Sequence, residues 1–287
     1  MTIDNVRFLE EVRLAPEPGR VFVNVTSRGC GSGCSYCYVD GFREVQELVD
    51  FDQFRASIDA LVSDESFQPG PDGTVVSMCP DTEPFKTPES TDRVLFAAKR
   101  VLRLGNPVQF STKERLPERA LAEVADAARR PEQVVWFTSM TTVSAAHQVE
   151  PGAAPIIERL RNFERCRAHG MPSCLYIKPF LPSMLRDTDR LIELLLAHPP
   201  DSICVGILYK ANERGTRSHR HPVHPGLTSR GLDDRFIEFV SRLRQAGDIK
   251  IFHSAICVNA WQLDREPSPP IWSSYPELCV SCRGCGQ

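Results

Sequence analysis

The sequence of 287 residues has no uninterrupted apolar run near the ~20 residues a membrane-spanning helix needs, so it offers no candidate bilayer span and no membrane partner is expected. It also lacks a surplus of positive charge: 34 Lys and Arg face 37 Asp and Glu, a formal net charge of −3. Proteins that track duplex DNA by neutralising phosphates usually carry a basic excess, so a small-molecule partner is expected rather than nucleic acid. Biased tracts are missing, which argues against disorder, and no internal repeat is evident. The opening stretch, 1–20, mixes charged and apolar residues without the apolar core of a signal peptide, and a cytoplasmic location is the resulting expectation.

Cysteine, by contrast, is abundant, with eleven residues. Six fall into two tight groups, Cys30/Cys34/Cys37 and Cys279/Cys282/Cys285, while Cys79, Cys166, Cys174, Cys204 and Cys257 are scattered. A chain of this length can build an ample core without disulfides, and clustered thiols in a reduced compartment point to metal.

Short β-rich runs alternate with helical stretches through most of the sequence. Strands are predicted at 20–26, 74–78, 107–112, 134–139, 173–178, 202–208 and 249–252. Helices are predicted near 51–62, at 88–104 (Thr87 as N-cap, Pro88 at the first position, Gly105 as stop), and at 116–129, 155–169, 186–198 and 233–246. Such alternation means parallel βαβ units in an α/β fold, a partial barrel of about six units with its chemistry at the C-terminal ends of the strands, by analogy with closed barrels. The expected divisions are an N-terminal extension (1–19), the barrel (20–257) and a short C-terminal segment (258–287). That last segment is rich in proline (Pro267, Pro269, Pro270, Pro276), shows no periodicity and looks organisable only by metal.

The loop after the first strand reads Cys30-Gly-Ser-Gly-Cys34-Ser-Tyr-Cys37. Thiolates at this spacing can wrap one face of a [4Fe–4S] cube, and Gly31 and Gly33 allow the tight positive-φ turns that inward-pointing sulfurs require. Three ligands for four irons leave one iron open for a substrate or cofactor. The competing reading is a structural zinc loop, which wants a fourth Cys or His, and none is close by in sequence.

This Cys-x3-Cys-x-Tyr-Cys pattern resembles the radical S-adenosylmethionine (SAM) superfamily, whose fold is a partial (β/α)6 barrel. The resemblance implies that SAM binds the open iron through its amino and carboxylate groups. One electron, from a donor such as flavodoxin or ferredoxin, then cleaves SAM to methionine and a 5′-deoxyadenosyl radical that takes a hydrogen atom from substrate. It also sets Tyr36 against the adenine. Three further stretches, 78–84, 110–113 and 150–160 continued at 178–183, resemble the branch that includes spore photoproduct lyase; the likeness spans roughly 20–210. By that likeness Asp81 or Glu83 meets the SAM ammonium, unless they cap the helix at 88, and Lys113 with Ser111 meets its carboxylate, unless Lys113 is a solvated strand-end lysine. Ser139, Thr141 and Lys178 become candidates for the ribose. Cys79 is a candidate for the thiol that returns hydrogen to the product; a buried filler is the alternative.

The second group, Cys279-Val-Ser-Cys282-Arg-Gly-Cys285, suits a second, auxiliary [4Fe–4S] cluster, with a zinc knuckle or a reactive tail as alternatives. Cys257 is a candidate fourth ligand; without it, an open iron would bind substrate or give up sulfide. That case resembles sulfur-inserting radical SAM enzymes and the sulfur-for-oxygen exchange that builds thiosugar nucleoside antibiotics such as albomycin. The tail departs from spore photoproduct lyase and argues against DNA lesion repair. It is short for the peptide-modifying branch, and no peptide-capturing domain is expected ahead of the barrel. A non-catalytic Fe–S or zinc module is the remaining class. Arg214, Arg217 and Arg220, interleaved with His219, His221 and His224 after the sixth strand, would clamp an anionic substrate if they are more than a solvated loop or a metal site.

Overall fold

The valine-rich runs of this sequence form strands because both of their faces are covered, and β8 (Val134–Ser139) is buried at every position. The computed structural model describes residues 8–9, 12–14, 19–37, 44–206, 234–252 and 254–265. Seven parallel strands follow one another across the main sheet: β3 (Arg20–Val23), β6 (Val75–Met78), β7 (Val108–Thr112), β8, β9 (Ser173–Ile177), β10 (Ser202–Val205) and β11 (Lys250–Phe252). Between them run α1 (Phe51–Ser63), α2 (Pro88–Leu102), α3 (Glu118–Ala127), the one-turn α4 (Ala146–Val149), α5 (Ile156–Ala168), α7 (Thr188–Ala197) and α8 (Asp234–Ala246). This is the expected α/β fold of parallel crossover units, a partial barrel.

Local signals set the helix ends. Asp50 caps α1, its carboxylate accepting from the amides of Asp52 and Gln53 at 3.0 Å. Thr87 and Ser90 form a reciprocal capping box on α2. Gly105 and Gly170, at φ +95° and +68°, take the left-handed turns that end α2 and α5. The helices lie over an outer apolar layer in which Phe110 stacks on Trp136 with ring centroids 4.2 Å apart.

Several elements differ from expectation. The strand predicted at 20–26 is two: β3 leaves the main sheet after Val23, and β4 (Thr26–Arg28) pairs antiparallel with β5 (Glu47–Leu48) as the chain turns out to carry the cysteine loop. The helix predicted at 186–198 is α7, which starts two residues later, and a short helix that was not expected, α6 (Pro182–Arg186), precedes it. Asp187 stands at the joint, its buried carboxylate accepting from the amides of Val143 and Ser144 and the hydroxyls of Thr142 and Ser144 at 2.6–3.0 Å. In the N-terminal stretch, β1 (Phe8–Leu9) and β2 (Val12–Leu14) extend the sheet antiparallel from β3. The predicted strand at 202–208 is described only as far as 206.

The last described helix, α9 (Ala255–Gln262), was not expected, and it runs through the boundary set at 257/258. It lies on the inner face of the sheet, where Ala255, Cys257 and Val258 pack with Val135, Phe137, Cys174, Cys204 and Phe252. Asn259 Nδ2 donates to Gln109 Oε1 at 3.0 Å, and Gln262 Nε2 donates to the carbonyls of Glu132 and Val134. These partners lie at the N-terminal ends of β7 and β8, so α9 covers the lower part of the inner face. The C-terminal ends of the strands are left for a site.

Candidate active site

Glycines shape the cysteine loop: Gly29, Gly31 and Gly33 all have φ between +61° and +75°. A Cβ on Gly29 would sit 2.5 Å from the carbonyl oxygen of Val45, so that position admits no side chain. Cys30 and Cys34 are buried and Cys37 is half-buried, with the Cys37 amide donating to the Cys34 carbonyl at 3.1 Å. The loop is held from outside by the segment 149–154: Ser35 donates to the Val149 carbonyl at 2.8 Å and Gly152 to the Ser32 carbonyl at 2.9 Å. Lys86, which pairs with Glu114 at 2.7 Å, also donates to the Gly152 carbonyl.

A charged cluster sits beside the thiols. The Lys113 ammonium lies 5.8 Å from the Tyr36 ring centroid. Burial opposes its charge, but Cys34, Glu150, Glu83 and Cys30 together outweigh that and raise its pKa. Burial pushes the Cys34 thiol up to about 11 even though Lys113 favours its thiolate. The Tyr36 hydroxyl donates to the carboxylate of Glu150; burial first, then Glu150, holds the phenol well above its usual range. Thr141 donates to the same carboxylate at 3.1 Å, and Arg159 closes an ion pair with it at 2.5 Å.

The other predicted residues are placed as follows. Glu83 is buried, and its carboxylate accepts from the Thr112 hydroxyl at 2.5 Å, the Lys113 amide at 2.7 Å and the Phe85 amide at 3.3 Å. It therefore ties the loop after β6 to the end of β7, and the cap on α2 belongs to Thr87 and Ser90. Asp81 is half-buried in the same loop. Ser111 and Ser139 share the period-2 face that carries Gln109 and Phe137, which places them on the inner side at the strands' C-terminal ends, while Lys178 follows β9 with its side chain beside Gly206. Thr141 donates to Glu150. Cys79, at φ +49°, is buried in the outer apolar layer with Val23, Val25 and Met78, and burial pushes its thiol up to about 12. Cys257 lies in α9 on the inner face. Arg214, Arg217, Arg220, Cys279, Cys282 and Cys285 lie outside the described residues.

The structure thus gathers Cys30, Cys34, Cys37, Tyr36, Lys113, Glu83 and Thr141 into one region and adds Glu150, Arg159 and Gly152, for which sequence reasoning assigned no role. Their only signal was the motif 150–160, whose Glu, Gly and Arg mark its ends and its turn. The donor set fits an iron–sulfur cube: thiols on a positive-φ loop beside an ammonium, with Cys34 buried so that its sulfur is costly to ionise unless a cation replaces the proton. Among the described residues no three His, Cys, Asp or Glu side chains group closely enough to hold a single metal ion. Sulfurs capping separate corners of a cube stand farther apart than the ligands of one ion. No described helix is long and apolar enough to cross a membrane.

No protein-family model matches the chain, and no curated protein matches it. Solved structures do. SuiB of Streptococcus suis bound to its precursor peptide SuiA matches with a TM-score of 0.55 at 12% identity, over 94% of this chain and 56% of that one. SuiB bound to S-adenosylmethionine matches with a TM-score of 0.53 at 11% identity, over 86% and 49%. Methylornithine synthase (PylB) matches at 0.52 and 12% identity, over 81% and 63%. The chain spans about half the length of the SuiB structures. On this likeness, and on its sheet of parallel strands flanked by helices, the chain has the fold of the radical SAM enzymes.

Proposed function

We propose that the chain is a radical SAM enzyme, with Cys30, Cys34 and Cys37 as ligands of a [4Fe–4S] cluster. The observation that carries this reading is the convergence of the buried cysteine loop, Tyr36 and Lys113 at the C-terminal edge of a parallel sheet. When bound, the cluster and SAM would supply an electron and a 5′-deoxyadenosyl radical. The protein's part is to bind and orient. Lys113 offers a fixed positive charge for a carboxylate, and Tyr36 offers a ring face. Ser111 and Ser139 on the inner face, with Lys178 after β9, offer polar groups where a substrate carbon would be held and water excluded. Glu83 supports this set by fixing the Lys113 backbone.

The substrate in this proposal is small, polar and anionic, nucleoside- or nucleotide-like, clamped by Arg214, Arg217 and Arg220. Cys279, Cys282 and Cys285 would hold a second [4Fe–4S] cluster that binds substrate or donates sulfur, in a natural-product tailoring reaction. Cys79 keeps the proposed role of hydrogen-atom donor only if its buried thiol gains a path to the inner face. The test is anaerobic reconstitution followed by reduction with SAM. The full chain should take up about eight irons, Cys279→Ala/Cys282→Ala/Cys285→Ala about four, and 5′-deoxyadenosine should form. A wild-type protein that yields none, or a Cys34→Ala variant that yields as much, would overturn the assignment. Sulfur donation requires labelled cluster sulfide to appear in product.

A further inference from the structure

Glu150 and Arg159 are each 1% exposed, which makes theirs the most deeply buried ion pair among the described residues. Taking two charges out of water is costly, and it is offset only where the remaining lone pairs and N–H groups are also used. Here they are. One Glu150 oxygen accepts from Arg159, the other from Thr141 and Tyr36. Arg159 also donates to the carbonyls of Ala154 at 2.7 Å and Ser139 at 3.1 Å. The pair is thereby fixed to the end of β8 and the start of α5. A core that needed only filling could use apolar side chains in this volume at no loss. What apolar side chains could not do is accept a hydrogen bond from the hydroxyl of Tyr36, which stands directly before Cys37.

We infer that Glu150 is a positioning residue for the cysteine loop. Anchored by Arg159, it holds Tyr36 in place. Together with the backbone bonds Ser35–Val149 and Gly152–Ser32, it sets the geometry in which Cys34 and Cys37 present their sulfurs. A role in proton transfer does not fit, because both carboxylate oxygens are committed to Arg159, Thr141 and Tyr36. The inference rests on the reading that this loop holds a cluster.

The test uses full-length protein carrying Cys279→Ala, Cys282→Ala and Cys285→Ala, so that only the first cluster is counted. After anaerobic reconstitution, loss of iron to a chelator is followed by the cluster's visible absorbance. Tyr36→Phe removes the loop bond and leaves the buried pair intact; Glu150→Gln removes the charge and keeps an acceptor. Tyr36→Phe should lose iron about ten-fold faster than the parent, the change expected for one lost hydrogen bond to a charged group, and Glu150→Gln, which also strands the buried charge of Arg159, at least as fast. The combined variant should be no faster than Glu150→Gln alone, because both act through one bond. Asp92→Asn, which breaks the exposed Arg119–Asp92 pair, should match the parent. Parent-like retention by Tyr36→Phe, or effects that multiply in the combined variant, would overturn the inference alone. A parent that takes up no iron would remove the cluster reading as well.

Discussion

The amide of Gly152 donates to the carbonyl of Ser32 at 2.9 Å, so the turn that precedes α5 rests backbone to backbone on the loop between Cys30 and Cys34. A Cβ at position 152 would stand 2.5 Å from the Gly31 carbonyl oxygen and 2.9 Å from the Ser32 Cα. Both are backbone atoms, so neither contact can be relieved by a rotamer change. Gly152→Ala should therefore displace the cysteine loop, lowering iron content after reconstitution while the circular dichroism spectrum keeps its native shape. Gly170→Ala provides the contrast: nothing lies within 4 Å of a Cβ there, so its cost is the backbone strain of φ +68° alone, and iron content should hold.

The Glu150–Arg159 pair makes a separate prediction about stability. Removing one partner strands a buried charge, so Arg159→Met should cost about 3–5 kcal/mol in denaturant unfolding. Replacing both, as Glu150→Gln/Arg159→Met, should recover a substantial part of that loss. A single variant with an unchanged midpoint would show that water reaches the pair.

Glu83 gives the protein a pH signature. Burial, with Glu114 next in weight, raises its carboxyl to about 7 against the favourable bonds from the Lys113 amide and the Thr112 hydroxyl. The unfolded chain loses this proton near the ordinary value of 4.5, while the folded chain keeps it until about 7. The unfolded state therefore binds fewer protons across that window, and this group's contribution falls as pH rises through it, by up to about 3 kcal/mol. Below 4.5 the contribution is fully present. Glu83→Gln should flatten the part of the stability profile between pH 5 and 7 (about two pH units on the linkage argument). An unaltered profile would mean that the carboxylate is already ionised in the fold.

The parallel core and the cysteine loop were legible in the sequence because their signals are local: valine-rich runs, caps, glycines and thiol spacing. Other parts were not, for identifiable reasons. α9 is buried at six consecutive positions, Ala255–Ala260, so it has no polar face to mark a helical period. β1 and β2 have only two and three residues, too few for alternation to register. Glu150 and Arg159 face each other only because the chain turns between Pro151 and Pro155, and nothing in their nine-residue separation announces a pair. The bonds of Glu83 to the backbone and hydroxyl of β7's end are set by sheet register, which no local signal in the sequence carries.

Lys113 carries the last prediction, because it separates a bound cation from a passive strand end. Its amide is fixed by Glu83, so substitution of the side chain leaves that anchor in place. Its ammonium stands over Tyr36 among groups that all favour its positive charge. If that charge receives the SAM carboxylate, Lys113→Met should weaken SAM binding by about ten-fold or more, the scale of a charged hydrogen bond. Lys113→Arg should restore part of it by keeping the charge while altering the reach. Iron content should stay at the parental level in both, since neither removes a thiol or a hydrogen bond that holds the cysteine loop. Equal SAM affinity in all three proteins would mean that Lys113 serves only to offset the charge of Cys34 and Glu150. In that case Lys113→Met should instead lower the unfolding midpoint and leave binding alone.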